Sequence, residues 1–91
     1  MSKITVLQMP SFKKSYKKLH SKDKTKVDQA IHQIIENPQI GQEKRGNLAG
    51  VYVYKFKIHD CENLLAYQWC PKERILLALG VHENFYRNLK K

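Results

Sequence analysis

The groups best suited to chemistry in this sequence close it: Gly80-Val81-His82-Glu83-Asn84-Phe85-Tyr86-Arg87-Asn88-Leu89-Lys90-Lys91. His82 carries the one side-chain type whose ordinary pKa lies near neutrality, and it stands where the apolar run Ile75 to Leu79 gives out. On a helical turn Tyr86 returns to the same side as His82, with the Arg87 guanidinium next to it. A proton-transfer group, a ring and a cation then converge at one edge of the molecule, with Glu83 or Glu62 available to orient the imidazole or act as a partner base. A second reading is open at this point. A histidine at a strand end also serves as a solvated or structural group, and Phe85, Tyr86 and Leu89 could simply dock a terminal helix.

Charge narrows what such a set would act on. Lys and Arg number 17 against 8 Asp and Glu, giving +9 and an isoelectric point near 9.7 on 91 residues. That field favours a polyanionic partner. It is uneven: residues 1–26 hold eight Lys and one Asp, and a second basic group, Lys44, Arg45, Lys55 and Lys57, falls mid-chain. Lysines on solvated helix faces account for most of the first group. A chain of this length supports one domain, 1–91, with a single modest core. Met1 to Leu7 turns polar too soon for a signal peptide, and no apolar run reaches membrane-spanning length, so the expectation is a cytoplasmic protein with no membrane partner. Cys61 and Cys70 are expected to be reduced thiols. His59-x-Cys61 with a distant Cys70 lacks the doubled spacing of zinc sites, so no metal and no cofactor is expected.

The elements that must position these groups are legible as periodicity. Ile4, Val6 and Gln8 alternate in a short strand stopped by Pro10. Ser11 offers an N-cap, and Phe12, Tyr16 and Leu19 recur at helical spacing with Lys13, Lys14, Lys17 and Lys18 opposite. After a short break a second stripe, Val27, Ala30, Ile31, Ile34 and Ile35, runs to Asn37-Pro38, giving an antiparallel helix pair. Gln39 to Asn47 shows no periodicity and is expected as a basic loop. From Val51 to Ile58 the period is two, with Tyr52, Tyr54, Phe56 and Ile58 on the face that covers the helices and Val51, Val53, Lys55 and Lys57 on a face expected to stay open. Asn63 to Cys70 and Arg74 to Val81 complete a three-stranded antiparallel meander, before a short C-terminal helix. Leu65, Tyr67 and Trp69 share one face and are expected in the core. His20 and His32 are expected in solvent. The whole is an α+β fold: a short N-terminal strand, a helix pair, a meander and a terminal helix.

In that order and spacing the chain resembles toxins of the RelE/ParE superfamily from bacterial type II toxin-antitoxin modules. The resemblance is carried by the helix pair opening at Phe12 and closing at Asn37-Pro38, the basic loop, Leu48-x-Gly50-x-Tyr52, Tyr54-Lys55-Phe56-Lys57-Ile58, Leu64-Leu65-Ala66-Tyr67, and Ile75 to Gly80. It implies a cognate antitoxin that wraps the toxin, and one of two activities: ribosome-dependent cleavage of mRNA, or poisoning of DNA gyrase. Many RelE-type nucleases place arginines where this chain has Leu64 and His82. The Gly80-Val81-His82 ending with Tyr86 instead resembles the YafQ-like branch, whose histidine at that position is catalytic.

The resemblance makes His82, Tyr86 and Glu83 the candidate catalytic residues and Lys44, Arg45, Lys55, Lys57 and Arg87 the candidate RNA-binding residues. Metal-free RNA cleavage needs a base for the 2′-hydroxyl, an acid for the leaving 5′-oxygen, and cations for the developing phosphorane charge. His82 suits either proton role, and Tyr86 suits stacking on a splayed base or hydrogen bonding. A gyrase poison would need no proton-transfer residue, and a basic nucleic-acid-binding module without activity is the blander alternative.

Overall fold

The computed structural model describes residues 3–44 and 50–81. The expected C-terminal helix, with His82, Glu83, Tyr86 and Arg87, lies outside the described residues, as does Arg45. The elements run β1 (Thr5–Gln8), α1 (Pro10–Lys17), α2 (Ser21–Glu36), a short 3₁₀ turn (Pro38–Ile40), β2 (Gln42–Glu43), β3 (Tyr52–Ile58), β4 (Cys61–Cys70) and β5 (Glu73–Val81). One five-stranded sheet has the order β1-β5-β4-β3-β2, with β1 parallel to β5 and every other pair antiparallel.

Each boundary has a local cause. α1 starts one residue before the expected cap: Pro10 takes the first helical position and Met9 the N-cap, with no side-chain capping bond. Proline is preorganised for that position because its missing N–H would have no helical partner there. α2 stops at Glu36 because Asn37, held at φ −143° ahead of Pro38, cannot continue the helix. Between β3 and β4 the chain reverses on His59 and Asp60, both at positive φ (51° and 67°), with Ile58 opposite Cys61. Such a residue pair is what a tight hairpin needs to follow the twist of its strands.

The core lies between the helices and one sheet face. Phe12, Val27, Ala30, Ile34, Ile58, Leu65, Tyr67, Leu76 and Leu79 are buried there, with Tyr52, Tyr54, Phe56 and Trp69 packed against them. The expected aromatic face of β3 is therefore the helix-facing one. α1 sits chiefly against β5 and α2 against β3. Across the helix pair the Tyr16 hydroxyl donates to Asp28 Oδ1 at 2.9 Å. That bond, and then partial burial, holds the phenol's pKa above its ordinary value.

Arg74 is buried at the same face and has no carboxylate partner among the described residues. Its Nε and Nη2 donate to the carbonyls of Ile34 and Ile35, each at 3.1 Å, and Nη1 to those of Cys70 (2.7 Å) and Glu73 (2.9 Å). The C-terminal turn of α2 has carbonyls without helical donors and the negative end of the helix dipole, so a buried guanidinium satisfies both.

Two expectations are corrected. Gln39 to Asn47 is not one unbroken loop: Pro38–Ile40 forms the 3₁₀ turn and Gln42–Glu43 pairs with Val53 and Tyr52. The segment is too short to show a period, but Gly41 N–H and the Pro38 carbonyl both bond the Tyr67 hydroxyl, which fixes it to the core. Nor does the second sheet face stay open along its whole length. Val51, Val53, Leu64 and Ala66 are buried on it, joined by Leu77 and Ala78. A bulge makes this possible: Ala66 pairs with Ala78 and Tyr67 with Leu76, so Leu77 is extra and shares the face of Ala78.

Candidate RNA-binding and catalytic face

Strand register assembles the candidate site. Lys55 pairs with Leu64 on β4, and Leu64 pairs with Gly80 on β5. Directly opposed residues in antiparallel strands share a face, so Lys55, Leu64 and Gly80 form one row across the second sheet face. Adjacent strands are about 4.8 Å apart, so the row spans roughly 10 Å from Lys55 to the strand that runs into His82. β5 ends at Val81, which is exposed and faces Asn63 across β4.

Lys55 and Lys57 are both exposed, and neither ion pair found among the described residues engages them. Their position at the far end of β3 from the buried Val51 and Val53 leaves an apolar half and a basic half on one face. Lys57 differs from Lys55 in one respect: its register partner is Glu62, a carboxylate on the same face. Opposite charges directly across a strand pair attract, so Lys57 is partly offset while Lys55, opposite Leu64, is not. Glu62, considered above as a partner base, is thus positioned beside a lysine.

Lys44 follows β2 directly, and its backbone N–H donates to the Val51 carbonyl at 2.8 Å. The segment that carries it is held by Tyr67, whose fully buried ring delivers its hydroxyl to the Pro38 carbonyl at 2.6 Å while accepting from Gly41 N–H at 2.9 Å. Burial pushes the Tyr67 phenol above its ordinary pKa, so it remains a neutral donor at physiological pH. Sequence reasoning placed Tyr67 in the core and missed this clasp. The available signal was a hydroxyl buried in an otherwise apolar strand, which requires a partner.

The remaining histidines form no second centre. His20 and His32 are exposed, His32 with Glu36 at 3.9 Å, and His59 Nε2 bonds Asp23 Oδ1 at 2.9 Å. Among the described residues no group of three or more His, Cys, Asp or Glu could hold a metal ion. Cys61 and Cys70 are free thiols. An open groove of about 570 Å³ lies between α2 and β3, lined by Asp28, Gln29, His32, Tyr54 and Phe56 among others. It is on the helix side, away from the row of Lys55. No described helix is long and apolar enough to cross a membrane.

Solved structures share this architecture. Escherichia coli RelE in the intact RelBE toxin-antitoxin complex superposes with a TM-score of 0.69 at 21% identity, covering 88% of this chain and 98% of that one. A double arginine-to-alanine mutant of E. coli RelE in the free state gives 0.71 at 19% identity, covering 99% and 97%. A YoeB/ParE toxin from Agrobacterium tumefaciens gives 0.67 at 14% identity, covering 87% and 99%. No curated protein sequence matches the chain. The helix pair and the five-stranded sheet are thus those of a RelE/ParE-type fold. Residues 6–90 match the family model of the ParE-like toxin of type II bacterial toxin-antitoxin systems, and the chain belongs to that family.

Proposed function

We propose that this toxin is a ribosome-dependent, metal-independent mRNA endoribonuclease, acting in the cytoplasm and neutralised by a cognate antitoxin. The observation that carries the reading is the row Lys55, Leu64, Gly80, which aligns an exposed cation, in no ion pair among the described residues, with the strand end that leads into His82. In the proposed reaction a base removes the 2′-hydroxyl proton of the nucleotide to be cut. The 2′-oxygen attacks phosphorus, and the P–O5′ bond breaks as the leaving oxygen is protonated. His82 supplies one proton transfer, with Glu83 as its partner, and Tyr86 stacks on or hydrogen-bonds the splayed base. Lys55 and Lys57, with Lys44, Arg45 and Arg87, bind phosphates and stabilise the added negative charge.

A gyrase poison is the second reading. Leu64, fully buried in the middle of the row, favours it, because an apolar side chain there cannot stabilise a phosphorane. One experiment separates the two: the protein is added to translating ribosomes with a reporter mRNA, and in parallel to gyrase with relaxed plasmid. Endonucleolytic cuts that require ribosomes, with supercoiling intact, are the expected result. Inhibited supercoiling with uncut mRNA would transfer the assignment to gyrase.

A further inference from the structure

The candidate face accounts for only part of the positive charge. The helix layer carries more: residues 1–26 hold eight of the lysines, and Lys13, Lys14, Lys17, Lys18, Lys22 and Lys26 are all exposed. At helical spacing Lys13, Lys14 and Lys17 of α1 and its C-cap Lys18 occupy one arc opposite Phe12 and Tyr16, so they point away from the sheet and lie on the other side of it from Lys55. The carboxylates of this layer are directed elsewhere. Asp28 accepts from Tyr16, Asp23 bonds His59, and Glu36 approaches His32. Both ion pairs among the described residues use a histidine as the cation and neither uses a lysine. Within the layer Lys24 is the exception in kind, its Nζ lying 5.4 Å from the centroid of the Tyr16 ring.

We infer that the outer face of α1, extended by Lys22 of α2, is a second docking surface, which binds the phosphate backbone of structured RNA independently of the catalytic face. The choice of RNA as the polyanion rests on the proposed nuclease reading. Flexible lysines on a helix present point charges without base-reading groups, so the surface takes duplex backbone with little sequence preference. Two basic surfaces on opposite sides of one sheet suit a partner that surrounds the toxin, with one wall of RNA at the helices and the strand to be cut at the sheet.

The test measures binding of a short RNA duplex, too structured to be cleaved, across a salt series. Replacing Lys13, Lys14, Lys17 and Lys18 together by Ala is expected to weaken binding about tenfold or more and to make the salt slope shallower by about three to four. Lys72→Ala, an exposed lysine in the turn between β4 and β5 outside both basic surfaces, is expected to leave both nearly unchanged. Thermal unfolding of the α1 variant checks that the helix persists, as alanine favours. Unchanged affinity and slope in the α1 variant, or an equal loss in the Lys72 variant, would overturn the assignment. So would tighter binding to phosphatidylserine vesicles than to the duplex. No cleavage is measured, so this result and the outcome for His82 move separately.

Discussion

The two faces of the sheet are built from the same strands and do different work. The helix-covered face holds the large side chains, Phe12, Tyr67, Leu65 and Leu76, and gives Arg74 and the Tyr67 hydroxyl hydrogen-bond partners, while the Trp69 indole N–H is buried there with none among the described residues. On the opposite face the buried residues are smaller, Val51, Val53, Leu64 and Ala66, and the row then opens into exposed lysines. Alternation along β3 makes this division possible, since neighbouring residues such as Tyr54 and Lys55 point to opposite sides. Stability is therefore concentrated on one face of the sheet and the exposed lysines of β3 lie on the other, and substitutions should separate the two.

The largest effect is expected at the helix side. Phe12→Ala removes a ring that is 1% exposed and stacks on Tyr16 at 5.8 Å, so it should destabilise the fold by about 3–5 kcal/mol in chemical denaturation. A loss under about 1 kcal/mol would mean the core is not centred there.

The Tyr67 clasp is the next point at which the comparison can be broken. A Cβ on Gly41 would lie 2.6 Å from the Tyr67 hydroxyl oxygen and 3.0 Å from the Val53 carbonyl, so Gly41→Ala should cost about 1–3 kcal/mol. Tyr67→Phe keeps the ring but strands Gly41 N–H and the Pro38 carbonyl, a loss of about 1–2 kcal/mol. The pH dependence has a definite sign. Because the folded phenol titrates above its ordinary 10.0, its contribution is intact below that pH and is lost as pH rises through the folded value. Stability of the wild type should fall more steeply than that of Tyr67→Phe in alkaline titration, and parallel curves would contradict the burial argument.

On the other face the effect on stability should nearly vanish while function changes. Lys55→Ala with Lys57→Ala should shift stability by no more than about 0.5 kcal/mol and make the salt slope of ribosome binding shallower by about two. Tested singly, Lys55 should matter more, because Glu62 opposes Lys57. Equal single effects would show that the cross-strand carboxylate does not offset it.

Much of this division was legible in the sequence because it is local. Period two at Tyr52, Tyr54, Phe56 and Ile58, and helical spacing at Phe12 and Tyr16, express which side is apolar, and burial follows. What was not legible depends on partners distant in sequence. A strand as short as Thr5–Gln8 does not reveal that it will lie parallel beside Glu73–Leu76. Arg74 reads as an ordinary polar strand residue until α2 ends against it. The extra residue at Leu77 is invisible in an unbroken apolar run, yet it turns Leu77 and Ala78 to the second face. For the candidate site, the exposed Lys55 and Lys57 followed from alternation, whereas the alignment of Lys55 with Gly80 and the opposition of Glu62 to Lys57 required the register.

The central proposal is that His82, which follows β5 in the sequence, is the proton-transfer residue of an mRNA nuclease, and His82→Ala tests it most directly. The measurement is ribosome-dependent cleavage of a reporter mRNA by the purified variant, with thermal unfolding as a control. Acid-base catalysis typically contributes about 10²- to 10⁴-fold, so cleavage should fall by that order while the unfolding midpoint stays near that of the wild type. A variant that cuts mRNA at the wild-type rate, or that fails to fold, would contradict the account.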